Sequence, residues 1–181
     1  MAAGLIHLHN LMRLIIVVAG VVTVVRAFMG ASSGKPYVKT PATVFVASLH
    51  VQVILGLVLW FGISGITATF RADPGAAMKV ALLRFYGVEH SLLMLAAVVV
   101  ATIGSARTKR AQGDAAKHKT ARLFFTIAMV LLVVGIPWPF RGEGIGRGLF
   151  PGMKASAAMS TEAATTTTNG RDEIPWPKPS H

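Results

Sequence analysis

The chain has 181 residues, no cysteine, a formal net charge of +11, and 53% hydrophobic residues against 14% charged. Its apolar residues are drawn into long runs with the charge bunched between them, which excludes a water-soluble domain built round one core and indicates an integral membrane protein. The lack of cysteine removes disulfides, thiolate metal centres and covalently attached c-type haem.

The first run, Leu5 to Phe28, has no Lys or Arg before Arg13 and is too long for a signal peptide. Arg26 sits where a small-residue cleavage site would fall, so a retained helix is expected. Thr40-Pro41 announces the second run, Thr43 to Ile66, and Asp73-Pro74 announces the third, whose apolar part is Val80 to Ile103. Each of these three exceeds the ~20 residues that cross a bilayer core of ~30 Å. The fourth, Leu123 to Trp138, is shorter, but "AAKHKTAR" extends it with cationic side chains that can snorkel, and Asp114 is placed to cap it. "IPWPF", Ile136 to Phe140, stops it with two prolines and an interfacial Trp.

The expected helices cover approximately residues 5–28, 43–66, 78–104 and 117–138. Short connections make sequential antiparallel neighbours the expectation, an all-α, up-down-up-down four-helix bundle over residues 1–140. Beyond it, residues 141–181 are expected to form an extended, low-complexity tail. Its "GEGIGRG" lacks the preceding strand and following Lys-Ser/Thr of a phosphate loop. Its "IPWPKP", Ile174 to Pro179, is a Pro-bracketed Trp suited to docking on another subunit, or else an unpartnered end.

The positive charge follows the connections. Arg26, Lys35 and Lys39 flank the first, and Arg107, Lys109, Arg110, Lys117, Lys119 and Arg122 crowd the third. Only Arg71, Lys79 and Arg84 lie round the second. The positive-inside rule then puts the first and third connections in the cytoplasm and both termini outside, in a bacterial inner membrane. Basic loops beside a bilayer meet anionic lipid, and no nucleic-acid partner is implied.

Four histidines fall at membrane depth, where ionisable residues are candidate sites: His7, His9, His50 and His90, the last beside Glu89 in "RFYGVEHSLLML". At ~1.5 Å per residue, His9 and His90 differ by about 7 Å in depth and His50 and His90 by about 10 Å, so the first pair is preferred. Arg13, one turn after His9, and Arg84, before His90, lie toward the same side and suit haem propionates. Two imidazoles on separate helices with two arginines form a reasonable b-type haem constellation, His9 and His90 holding the iron and His50 available to a second site. Glu89 could accept from a ligand imidazole, pair with Arg13 or Arg84, or carry protons.

Bland readings stand beside these. Asn10 and Gln52 can simply bond a neighbouring helix, Ser91 its own backbone, and Met94 can be packing. His118, in "KHK", is expected at the membrane surface, and His181 is terminal. A copper or non-haem iron site from His7, His9, Glu89 and His90 is a further possibility, although His7 and His9 point to nearly opposite faces of a helix.

At "LIHLHNLMR", "HVQVILGLVLWF", "RFYGVEHSLLML", "TIGSARTKRA" and "IPWPF" the chain resembles a family of small bacterial four-helix membrane proteins labelled cytochrome-b-like. The resemblance runs from about Leu5 to Phe140, and by it His7, His9, Arg13, His50, Arg84, Glu89 and His90 match the family's polar positions. It implies a non-catalytic electron-transfer subunit with one haem b, and quinone as a further ligand. A haem-free accessory subunit or assembly factor of a respiratory or photosynthetic complex, docked through residues 141–181, is the alternative from a different class.

Overall fold

The computed structural model describes residues 2–148, and among them it contains helices and connections but no strand. Helix α1 is Ala2–Ser33 and α2 is Thr40–Val58, continued by a wide π turn, Leu59–Ile63. Three short helices come next: α3 (Gly65–Ala72), α4 (Pro74–Ala77) and α5 (Ala81–Arg84). A second π turn, Phe85–Glu89, leads into α6 (His90–Arg110), and α7 is Asp114–Gly135. Four helical stretches are long and apolar enough to cross a membrane: Gly4–Ser33, Thr40–Ile63, Ala81–Arg110 and Asp114–Gly135.

The long helices close a ring of neighbours, α1 packing on α2 and α7, and α6 packing on the same two. Phe45 and Phe125 meet edge to face at its centre, centroids 6.0 Å apart, with Leu49, Ala97, Ala101 and Ala128 buried round them. Small residues bring the backbones close enough for dispersion to hold them, the dominant attraction once hydrocarbon surrounds a helix. Gly20 is one such position: a Cβ there would stand 2.8 Å from the Phe45 ring. The outward faces are apolar as well, with Val18, Ile54 and Leu92 at least 60% exposed. Apolar residues both inside and outside are compatible with contact to a lipid bilayer.

The helix ends differ from expectation where single residues turn the chain. Lys39 is the N-cap of α2, with Thr40 already helical. Ser64 takes an extended conformation and stops the second span at Ile63, its hydroxyl accepting from Thr67 N to start α3. Asp73 does cap a helix, accepting from Ala76 N at 3.0 Å, but that helix is one turn long. The chain breaks at Val80, which is extended, and the third span begins at Ala81. Gly113, at φ 76°, is the N-cap of α7, because the Asp114 carboxylate is engaged elsewhere, accepting from Tyr37 N at 3.0 Å. The fourth helix ends at Gly135, with Ile136 extended just before the prolines.

Candidate functional site

A cavity of about 220 Å³ opens between α1, α2, α6 and the two π turns. Each π turn widens the helix by one residue and re-aims the side chains beyond it, a device common at functional sites. In the second turn the freed Tyr86 carbonyl is taken up by Ser91 Oγ at 3.2 Å, so Ser91 does bond its own helix. In the first, the Trp60 carbonyl accepts from Thr67 Oγ1 at 2.8 Å and from Arg71 Nη1. The Trp60 indole donates to Gly87 O at 3.1 Å, tying one π turn to the other. His90, the first residue after this tied pair, is thereby set on the cavity wall.

His9 reaches the same cavity from α1, and the two imidazoles lie with centroids 6.3 Å apart and planes at 69°. His90 Nδ1 donates to Gly135 O at 2.8 Å. That bond settles the tautomer and leaves Nε2 as the lone-pair nitrogen. Gln52 Nε2 donates to His9 O at 3.0 Å, fastening α2 to α1 at the level of the site. Gln52 Oε1 and His9 Nδ1 are buried there with no hydrogen-bond partner among the described residues. Buried polar atoms in that condition call for an explanation, and a ligand in the cavity supplies one.

One end of the cavity is closed by the chain after the fourth helix. The Arg141–Gly148 segment turns back through Glu143 and Gly144, both at positive φ, and Arg147 N bonds Pro137 O at 3.1 Å. Arg13 Nη2 donates to Gly148 O at 2.7 Å and Tyr86 Oη to Ile145 O at 2.7 Å. The Arg147 guanidinium covers the Tyr86 ring at 5.0 Å, its Nη1 held by carbonyls of its own loop. Residues 141–148 of the expected tail therefore pack against the bundle, while residues 149–181, with "IPWPKP" and His181, lie outside the described residues.

The structure brings His9, Arg13 and His90 together on the cavity and leaves the other candidates apart from its lining. Arg84 Nε pairs with Glu89 Oε1 at 2.7 Å, both side chains about two-fifths exposed. His7 is exposed on α1. His50 is exposed on α2, its Nδ1 donating to Val46 O at 2.8 Å and its Nε2 3.4 Å from Thr102 Oγ1. Met94 and Asn10 line the cavity. No three His, Asp or Glu side chains converge among the described residues.

Sequence reasoning passes over Trp60, Tyr86 and Arg147. The two aromatics look like ordinary interfacial residues, and Arg147 stands in a glycine-rich stretch assigned to the tail. The prolines of "IPWPF" and the glycines after them are the available signal, since the first bar the helix from continuing and the second allow the positive-φ turn at Glu143 and Gly144 that folds Arg147 back.

The donor set meets part of what a haem requires. Two imidazoles sharing one metal from opposite sides, at about 2 Å each, stand with centroids roughly 6 Å apart, which the His9–His90 pair satisfies. The fixed Nδ1–H of His90 is the outer-shell bond that ligating histidines usually make. The volume is below the ~300–1,000 Å³ usual for cofactor-sized ligands. A macrocycle enters only if apolar wall residues such as Leu57, Met94 and Leu95 give way. Comparison with protein-family models, with curated proteins and with solved structures finds no match.

Proposed function

We propose that this chain is a multi-pass subunit of a bacterial cytoplasmic membrane that holds one b-type haem between His9 and His90 and relays electrons to a larger complex. The observation that carries the reading is the imidazole pair across the cavity, one member oriented by the Gly135 carbonyl. A haem held by His9 and His90 would supply one-electron chemistry and would call for no substrate site. The chain's own contributions are separable. The Gly135 carbonyl keeps the His90 lone pair on Nε2, Gln52 holds the His9 backbone against α2, and Arg13 and Arg147 place guanidinium groups for acidic substituents. The four spans cross the bilayer up-down-up-down, with the basic first and third connections in the cytoplasm.

Purified full-length protein made with ample haem should show a Soret band that His90→Ala or His9→Ala removes and His50→Ala retains. A colourless preparation overturns the haem.

The cavity's modest volume favours a second reading, a haem-free accessory subunit whose cavity takes a smaller lipid-soluble ring such as a quinone headgroup, or nothing. Its hydrogen-bonding groups would be His9, Gln52 and His90. Partner capture then rests with residues 149–181, and their removal should break co-purification of the partner complex. Because Gly148 O receives the Arg13 bond, the truncation has to spare residues 141–148.

A further inference from the structure

A second cavity, of about 230 Å³, lies away from the first, between the C-terminal end of α1, the 34–39 connection, the start of α2 and His118 of α7. Its walls are fixed. His118 is 4% exposed, and its Nε2 donates to Lys35 O at 3.0 Å. Gly30 makes room for the ring, since a Cβ there would overlap the imidazole. Tyr37 meets the same ring edge to face at 5.1 Å, and its backbone N–H is held by Asp114. A short connection that could wander is thus clamped from α7 at three points.

The chemistry of the walls is two-sided. Arg26 and Lys35 bring positive charge, and among the described residues no Asp or Glu lines the cavity. The Asp114 carboxylate accepts from Tyr37 N and is not part of the lining. Among the described residues the ion pair formed is Arg84–Glu89, on the second π turn, so Arg26 and Lys35 have no carboxylate partner there. Burial pushes the Tyr37 phenol up, so its hydroxyl stays a neutral donor. The remaining lining includes Ala27, Met29, Val38 and Ala42, which are apolar. Cations beside an apolar wall, at the end of a bundle whose faces are compatible with lipid, suit a ligand with a phosphate at one end and hydrocarbon at the other.

We propose that this cavity is a binding site for the phosphate headgroup of an anionic phospholipid, Arg26 and Lys35 binding the phosphate and the apolar wall receiving the start of the acyl chains. The chemistry shared with a free phosphate is the anion, and the acyl contact is what commits the site to lipid. Basic side chains on the third connection, Lys117, Lys119 and Arg122 among them, attract anionic headgroups to this end without walling the cavity.

Native mass spectrometry of the full chain in neutral detergent, with phosphatidylglycerol or phosphatidylcholine added, tests this. Phosphatidylglycerol should be retained at one per chain in preference to phosphatidylcholine, and Arg26→Gln/Lys35→Gln should weaken that retention by on the order of thirty-fold. Lys109→Gln/Arg110→Gln, which removes equal charge outside the cavity, should weaken it far less, by no more than the loss of general attraction to this end. A folding check by circular dichroism accompanies each variant, and Ala42→Leu, which fills the apolar wall and keeps both cations, should also lower retention. Equal retention of the two lipids, an equal loss in the Lys109/Arg110 control, or complete displacement of the lipid by added inorganic phosphate would each overturn the proposal.

Discussion

The cavity at His9 and His90 and the cavity at His118 each carry a histidine tied to a backbone carbonyl, and the nitrogen used for the tie separates them. His90, a residue of its cavity's wall, spends Nδ1 on Gly135 O, which leaves Nε2, the nitrogen farther from the main chain, as the lone-pair atom. His118 spends Nε2 on Lys35 O, which turns the ring inward against Gly30 and leaves Nδ1 buried. One arrangement presents a lone pair and the other hides it. The first has a second imidazole 6.3 Å away, the second a tyrosine ring at 5.1 Å. The same side chain thus serves as a candidate ligand in one place and as a loop clamp in the other.

The comparison breaks most visibly at the histidines themselves. His90→Ala should abolish the visible absorption of haem-loaded protein, while His118→Ala should leave the spectrum intact and lower the unfolding temperature. Equal spectral loss in both variants would mean that the absorption reports folding and not ligation. At Gly30 the expected effect is next in size. Gly30→Val places a side chain where the His118 ring sits, and overpacking of this kind costs about 1–3 kcal/mol. The same substitution at the exposed Gly62, whose added Cβ meets nothing, should cost less, measured by thermal unfolding in detergent.

His118 also shows where the sequence misleads. In "KHK", between two lysines and before the fourth apolar run, it reads as a headgroup-facing residue, yet it is buried. Nothing local signals this, because the hole it fills belongs to Gly30, on another helix. The four membrane-length helices were legible because an apolar run is a local property, and the nearness of the His9 and His90 rings because a rise per residue converts sequence position into depth. The π turns, the break at Val80 and the return of Arg147 were not legible. They depend on where displaced carbonyls find donors, and those donors come from distant residues: Trp60 bonds Gly87, and Tyr86 bonds Ile145.

At the second cavity the clamp should respond to alkali. Burial holds the Tyr37 phenol above its ordinary value, so the folded chain keeps that proton more tightly than the unfolded one. The stability linked to it is fully present below about pH 10 and is lost as the pH rises through the folded value. Tyr37→Phe removes the group, and its unfolding temperature should fall less between pH 9 and pH 11 than that of the parent chain. Identical alkaline profiles would show that the phenol ionises without resistance from the fold.

The smallest effect is expected at Arg84 and Glu89, although the sequence makes them conspicuous. Their 2.7 Å contact joins two side chains about two-fifths exposed, on either side of the turn that delivers His90. An ion pair with that much exposure contributes about 0–1 kcal/mol, and Arg84 Nη1 has a second hold on Met78 O at 3.2 Å. The π turn is retained by Ser91 and Trp60 independently of the pair. Glu89→Gln should therefore leave the unfolding temperature within a few degrees of the parent and leave the spectrum of loaded protein in place. If it instead removes the absorption as His90→Ala does, Glu89 acts on the His9–His90 site directly. The boundary between cavity lining and surface pair would then have to move by one residue, to include the acid beside the ligand.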